Sequence, residues 1–385
     1  MSERDYEYMA LALRLAQCGV YTTAPNPRVG CVIVRDDKVI GSGGHRQAGG
    51  PHAEIIALQQ AGEQARGATA YVTLEPCCHH GRTGPCSQAL IDAGIRRVVA
   101  AMVDPNPRVA GHGLEQMRRA GIEVTQGVLQ QAAEDLNRGF ISRMRDGRPF
   151  VVCKLAMSLD GRTAMASGES QWITSPAARQ DVQRLRARSS AVLTGIGTVL
   201  ADDPALNVRM EVLADDAALL DDGQPRQPLR IIVDTHGRLP DNARVLQSPG
   251  QVVLLTSAAG ADAVAANSAD YPATLTVLTL PLHSSLATPD RQPLLDLSYL
   301  FSSLAGYELN DVVVEAGSLL SGALLSAGLI DELVIYMAPK LMGHTARGLF
   351  DLPWLASMAQ CIELEIRDVR PVAHDWRITA SVRKR

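Results

Sequence analysis

The chain has 385 residues, 46% hydrophobic, 20% charged and 4% aromatic, with 37 basic against 41 acidic side chains and a formal net charge of −4. That length predicts two or three domains, each able to bury its own core, and the composition is ordinary globular usage. A slightly acidic, aromatic-poor chain lacks the surface expected of a nucleic-acid enzyme, and no run of eighteen or more apolar residues predicts a membrane span.

The first residues, Met1 to Glu7, are polar and acidic, with no basic segment leading into an apolar core, so no export signal is expected. Seven cysteines are an odd number. With two of them adjacent and two assigned to a metal below, they argue against a disulfide framework and for a reducing, cytoplasmic compartment. The first strand is predicted over 30–34. Pro51 suits the first position of a helix, and Ala53 to Ala61 are rich in helix formers. Strands follow over 70–74 and 97–102. Between them, Cys86 opens a short helical pattern over 87–93 that ends at Gly94.

The chemistry lies in these turns. His52-Ala53-Glu54, then Pro76-Cys77, then Cys86 after eight intervening residues, spell a catalytic zinc site. Two thiolates and one imidazole are three ligands, leaving the fourth tetrahedral position for a water that the metal acidifies to a pKa of about 7. Glu54, not itself a ligand, is placed to carry the proton to a leaving amine. In mid-helix, His52 and Glu54 would face apart. They share a pocket only if it caps the helix N-terminus, where thiol pKa values are also lowered. A lone His or Cys is more often core or disulfide; here the combination decides. The spacing is wider than the C-x-x-C of nucleoside deaminases, so the loop Cys78 to Pro85 is an insertion expected to touch substrate.

A charged connector over 143–149, bounded by Gly147 and Pro149, predicts a boundary between a deaminase domain, 1–147, and a second domain, 148–385. The second half begins a new strand series over 150–155, 191–194, 229–233, 252–256, 311–315 and 332–337, giving α/β organisation throughout. The stretches 213–227 and 257–272 read as surface connections. Thr194-Gly195-Ile196-Gly197-Thr198 follows a strand, but Leu200 stands where a dinucleotide fingerprint has its third glycine. Glu315-Ala316-Gly317-Ser318 ends a strand and enters a helical pattern over 319–327, offering amides to an anion. Glycines serving only tight strand-to-helix turns are the commoner explanation of either stretch taken alone. Lys154, Asp202, Asp203 and Glu315 are charges next to apolar strands, and on pattern alone Glu315 is either a satisfied strand-end carboxylate or a ligand group. Trp172 either stacks on a flat ring or fills core, the commoner fate.

Read together, Thr23 to Gly30, Gly44-His45, His52-Ala53-Glu54, the Pro76 to Thr83 stretch with Cys86, and Asp104-Pro105-Asn106-Pro107 resemble the bifunctional riboflavin-biosynthesis deaminase/reductase family. In the second half, Lys154 to Arg162, Thr194 to Thr198 with Asp202-Asp203-Pro204, and Glu315-Ala316-Gly317 resemble its reductase domain. The resemblance implies a cytidine-deaminase-like three-layer α/β/α domain and a dihydrofolate-reductase-like α/β domain. It implies Zn2+ and NADPH as cofactors, and a pyrimidine ribosyl phosphate that is first deaminated and then reduced from ribosyl to ribityl. By matched position, His52, Cys77 and Cys86 would hold zinc, with Glu54 as proton carrier. Asn26, His45, His79, Arg82 and Asn106 would contact substrate in the deaminase, Arg82 as phosphate partner. Lys154, Asp202 and Glu315 would form the reductase's catalytic region, with Ser170, Arg186, Leu206 and Arg209 on its substrate side. Ala156, Trp172, Thr198, Asp202, Gly317, Ser318, Leu319, Leu320 and Ser321 would contact NADPH. The chain departs from the family at Cys78, where Ser is usual, and at Gly84, where Pro is usual. Cys78 is either a neutral exchange, a redox-sensitive neighbour or a competing ligand, and Gly84 loosens the ligand loop.

Other classes share part of this pattern. A tRNA-type deaminase would want a basic surface, and a deaminase with a non-catalytic binding or oligomerisation half would have no use for Lys154, Asp202 and Glu315. A structural zinc module would close its fourth position. A homo-oligomer is expected, with the stretch from Gly322 to Met337 as one possible interface.

Overall fold

In the computed structural model, residues 1–78, 84–107, 109–209, 211–213, 216, 226–265, 270–283, 294–353 and 355–383 are described. The chain separates into two compact units, Met1–Arg148 with Ala214–Arg226, and Pro149–Leu213 with Gln227–Arg385.

The first unit runs α1 (Glu3–Ala16), β1 (Gly30–Arg35), β2 (Lys38–Gly44), α2 (Ala53–Ala61), β3 (Thr69–Val72), α3 (Cys86–Asp92), β4 (Arg97–Ala100), α4 (His112–Arg119), β5 (Glu123–Gln126), α5 (Gln130–Leu136) and α6 (Arg138–Asp146). Its sheet has the order β2-β1-β3-β4-β5, with β1 antiparallel to both neighbours and β3, β4 and β5 parallel. Because side chains alternate across a strand, Cys31 and Ile33 pack into one apolar layer and Val32 and Val34 into the other. That double burial gives β1 its continuous apolar run. Helix α2 lies directly on β2. A Cβ at Gly41 would sit 2.2 Å from the Ala57 carbonyl oxygen, and one at Gly43 2.5 Å from that of Ala53. The buried stripe Ala53, Ala57, Ala61 completes this close approach and fixes where the N-terminus of α2 points. Pro51 lies outside the helix: His52 is the N-cap, in extended conformation.

The second unit runs β6 (Phe150–Ser158), β7 (Arg162–Ala164), α7 (Pro176–Arg188), β8 (Ala191–Gly195), α8 (Ile196–Asp202), β9 (Leu229–Val233), β10 (Gly250–Thr256), α9 (Ala258–Ala265), β11 (Ala273–Thr279), α10 (Leu300–Ser303), β12 (Asp311–Val314), α11 (Ser318–Ser326), β13 (Glu332–Ala338), β14 (Arg347–Gly348), β15 (Leu364–Val372) and β16 (Asp375–Val382). Nine strands form one sheet, β11-β10-β9-β8-β12-β6-β13-β16-β15. The pairs from β11 through β13 are parallel, and β16 is antiparallel to both its neighbours. Strand β12 returns late in the chain to fill the slot between β8 and β6. This is a topological switch point, with ligand space expected beyond the carboxyl ends of these strands. Two apolar layers cover the sheet faces, one around Leu193, Ile231 and Val314, the other around Val192, Ile232 and Val313.

One reading changes. The stretch 257–272, read as a surface connection, contains α9. In the stretch from Gly322 to Met337, Gly322, Leu324 and Leu325 are buried and β13 is paired on both sides, while Ser326, Ala327 and Gly328 are exposed.

Candidate active site

In the first unit the N-termini of two helices meet. His52 caps α2 with no side-chain hydrogen bond into the helix, which leaves its ring free to face Cys86, the first residue of α3. The His52 Nδ1 atom lies 3.2 Å from Cys86 Sγ and 3.6 Å from Cys77 Sγ, and the Cys86 backbone N–H donates to Cys77 Sγ at 3.4 Å. All three ligand atoms fall within 4.8 Å of one another. Bond lengths of about 2.3 Å to sulfur and about 2.0 Å to nitrogen at tetrahedral angles put S···N pairs about 3.5 Å apart, so the residues fit zinc. Donation from Cys86, His52 and the Cys86 amide pulls the Cys77 thiol down to about 4. Cys86, hydrogen-bonded to that thiolate and buried, is pushed far up. A divalent cation held by these residues would relieve the repulsion and keep both sulfurs as thiolates.

Glu54, at the second position of α2, is buried, and burial followed by the neighbouring Cys77 charge pushes its carboxyl up to about 7. A group near neutrality suits proton transfer in both directions. Helix capping therefore brings His52 and Glu54 to one pocket, as the spacing required. His45 is buried; its Nδ1 lies 3.0 Å from the Pro51 carbonyl oxygen and its Nε2 3.1 Å from Asn26 Nδ2. The carbonyl can only accept and the amide nitrogen can only donate, so the ring is neutral with its proton on Nδ1. Burial lowers its pKa in keeping with that. Asn106 sits in a turn whose backbone N–H donates to Asp104. His79 and Arg82 lie outside the described residues. Cys78 is half-buried, its thiol pushed up by burial and by Glu75. Glu75, which the motif reading passed over, accepts backbone N–H groups from Asp104, Gly111, Gly113 and Leu114.

In the second unit Lys154 and Ala156 face the same side of β6, alternating with buried Cys153 and Leu155. Glu315 follows β12. Its N–H donates to Leu193 of β8, and its carbonyl oxygen accepts from Thr194 Oγ1 at 2.7 Å. Across the carboxyl ends of these strands the Arg186 guanidinium, from α7, grips Glu315 bidentately at 2.5 and 3.0 Å, and Lys154 Nζ stands 3.9 Å from it. Burial pushes the Glu315 carboxyl up, but Arg186 with Lys154 overcomes it and holds it below its usual range. Burial lowers Lys154, opposed by Glu315 and by Asp202. Asp202 is exposed at the end of α8 and accepts from Gln171 Nε2 at 3.1 Å.

Other expected positions divide. Arg186 also donates to the Asn207 carbonyl, and the Arg209 N–H is held by Gln183 of α7, so 207–209 runs along that helix. The Leu206 side chain is buried in core, leaving only its backbone for any ligand. Ser170 is half-buried. Trp172 is not core: it is 62% exposed, with the Arg179 guanidinium 4.4 Å over its ring and its carbonyl oxygen bound by Lys340. Helix α8, carrying Thr198, is capped by Gly195, and α11 by Gly317; a Cβ at Gly195 would meet Leu320 at 3.1 Å, so these two helix starts adjoin. Ser318, Leu319 and Leu320 are open to solvent to differing degrees, whereas Ser321 is buried and donates to the Ala316 carbonyl. Adjoining amide ends beyond a switch point fit a dinucleotide phosphate.

A three-ligand zinc pocket with a buried carboxylate, and a separate α/β unit with a Lys–Glu–Arg cluster at its strand ends, define a two-domain deaminase and reductase. The comparisons agree. Residues 2–102 match the cytidine and deoxycytidylate deaminase zinc-binding region, and residues 149–377 match the RibD C-terminal domain. The riboflavin biosynthesis protein RibD of Escherichia coli K12 is 52% identical over 97% of this chain and 98% of its own. The structure of Acinetobacter baumannii RibD superposes with a TM-score of 0.87 at 46% identity, covering 99% of both chains. The diaminohydroxyphosphoribosylaminopyrimidine deaminase/5-amino-6-(5-phosphoribosylamino)uracil reductase of Thermotoga maritima gives 0.81 at 31% identity, covering 98% of this chain and 99% of that one.

The chain belongs to the RibD family of riboflavin-biosynthesis proteins, with a zinc-dependent deaminase domain and an NADPH-dependent reductase domain. Among the described residues, no helix is long and apolar enough to cross a membrane.

Proposed function

We propose that this chain deaminates 2,5-diamino-6-ribosylamino-4(3H)-pyrimidinone 5′-phosphate in residues 1–147 and reduces the resulting 5-aminouracil from ribosyl to ribityl in residues 148–385. The observation that carries the reading is the convergence of His52, Cys77 and Cys86 within 4.8 Å of one another beside the buried carboxyl of Glu54. Zinc held by those three residues supplies an acidified water at a pKa of about 7. Glu54 would take a proton from a water whose oxygen bonds to C2 and deliver it to the 2-amino group, so that the C2–N bond breaks and ammonia leaves. Asn26 and His45, already hydrogen-bonded to each other, present a fixed edge to the pyrimidine, and Asn106 is assigned to the substrate by its motif position. Arg82 and His79 are assigned to the phosphate and ring by their motif positions.

In the reductase, Lys154 would donate the proton to the ring oxygen as the ribosylamine opens to its imine, and NADPH, leaving as NADP+, would supply hydride to C1′. Glu315 does not carry that proton. Gripped by Arg186, it orients Lys154 and sets the field at the strand ends. Asp202, within electrostatic reach of Lys154, completes the polar cluster. Ser170, Arg209 and the Leu206 backbone line the substrate side, with Arg186 holding the 207–209 segment. Ala156, the exposed Trp172 ring, Thr198 and the Gly317 to Ser321 helix entry take the nucleotide.

The protein works in the cytoplasm as a homo-oligomer. The outer hairpin of the second sheet supports pairing between copies, since Ile366, Val369 and Trp376 on it are 64%, 50% and 45% exposed. Stripping zinc with a chelator tests the assignment: ammonia release should vanish while NADPH oxidation with the deaminated substrate survives. Loss of both activities, or of neither, would refute it.

A further inference from the structure

Glu75 stands two residues before the ligand Cys77, and its side chain is buried. One carboxylate oxygen accepts the N–H of Asp104 at 3.1 Å and of Gly111 at 2.8 Å; the other accepts those of Gly113 at 2.9 Å and Leu114 at 3.3 Å. All four donors are backbone, contributed from 29 to 39 residues downstream. They are the N–H that opens the Asp104-Pro105-Asn106 turn and three at the N-terminal end of α4. The same helix end is pressed against the ligand segment, because a Cβ on Gly113 would lie 2.1 Å from the Pro76 carbonyl oxygen. The turn carrying Asn106 is thereby locked to the segment carrying Cys77.

We infer that Glu75 is a positioning residue for deamination, registering the Asn106 turn against the metal-ligand segment so that substrate and the reacting water meet at a fixed distance. The inference rests on the deaminase reading above. A carboxylate is needed because it offers two oxygens, each able to accept twice, whereas an amide presents one oxygen and aims an N–H2 at two N–H donors. Glu75→Gln keeps size and shape and breaks half of the cradle.

The test compares Glu75→Gln, Asn106→Ala and the double variant in the full-length zinc-loaded protein, with kinetics normalised to bound zinc. NADPH oxidation on the deaminated substrate reports that the chain has folded. The inference expects Glu75→Gln to lower the deaminase kcat about tenfold or more with a smaller change in KM. It expects the double variant to be little worse than either single, since both act through one turn, and Glu75→Asp to recover part of the loss. Unchanged kinetics per zinc-loaded molecule, including the case where the variant only retains less zinc or melts earlier, overturn it as a purely structural contact. Additive effects overturn it as well. A wild-type protein that releases no ammonia would remove the deaminase reading itself and this inference with it.

Discussion

Replacing Arg186 with Met should reverse the sign of Glu315's contribution to the reductase unit's pH-dependent stability. Arg186 and Glu315 have side chains only 12% and 11% exposed and are joined by two hydrogen bonds. Breaking a buried pair by removing one partner costs about 3–5 kcal/mol, because a buried charge is left behind. Burial is the largest influence on Glu315 and raises its carboxyl; Arg186 outweighs it, and Lys154, at 3.9 Å, is the weakest contributor. In the wild type the folded carboxyl therefore titrates below its unfolded value of about 4.3, so its stabilisation is present above that pH and is lost as pH falls. In Arg186→Met burial wins and the folded carboxyl rises above the unfolded one, so stability is lost as pH rises through the carboxylate range. The sequence has three tryptophans, all of them after residue 149, and the two that are described, Trp172 and Trp376, lie in the second unit, so Trp fluorescence reports on that unit. Urea titrations followed at 295 nm excitation (about the red edge of Tyr absorption, so Trp alone is read) between about pH 4 and 7 give both the loss and the slope. A loss below about 1 kcal/mol, as for a surface pair, or an unchanged slope would refute the reasoning.

Glu54→Gln should cut ammonia release by about 10²- to 10⁴-fold while bound zinc, measured by metal analysis, stays at the wild-type level. Lys154→Met should abolish NADPH oxidation and leave ammonia release intact, which parallel assays of the two products check. Asp5, 1% exposed, accepts from Arg97 at 2.8 and 3.1 Å and from Tyr71. Arg97 holds its carboxyl well below the usual range, so its stabilisation is present above about pH 4 and fades as pH falls. Asp5→Asn should lower the deaminase unit's melting temperature and flatten its acid dependence, both read by calorimetry.

The candidate zinc cluster was legible because its three residues occupy short motifs, His52 and Cys86 at helix starts and Cys77 after Pro76, and the helix over 53–61 and the strand over 229–233 match the structure residue for residue. Strands buried on both faces announce themselves as apolar runs. The β15–β16 hairpin does not. Its edge strand is studded with Glu365, Arg367, Asp368 and Arg370, paired among themselves at 3.0 and 3.6 Å, so it reads as neither an apolar run nor an alternation. Helix α9 was hidden by Gly260, present because a Cβ there would strike Thr256 Oγ1 at 2.0 Å. Helix α1 had a signal that went unread: Ser2 and Asp5 form a capping box ahead of an amphipathic stretch. In the sites, long-range pairing escaped. Arg186 and Glu315 are 129 residues apart, and the sequence could place each near the reductase chemistry without showing that one neutralises the other. Glu75 escaped for the same reason, since everything it binds is backbone, which leaves no mark in residue type.

The central claim is that one chain performs two ordered reactions in separate sites. The most direct measurement follows ammonia release and NADPH oxidation together on the diaminopyrimidinone ribosyl phosphate, with wild type, Glu54→Gln and an equimolar mixture of Glu54→Gln and Lys154→Met. Wild type should release ammonia first and consume NADPH after a lag, Glu54→Gln should show neither, and the mixture should recover both. NADPH consumption by Glu54→Gln alone on the diamino substrate would contradict the account.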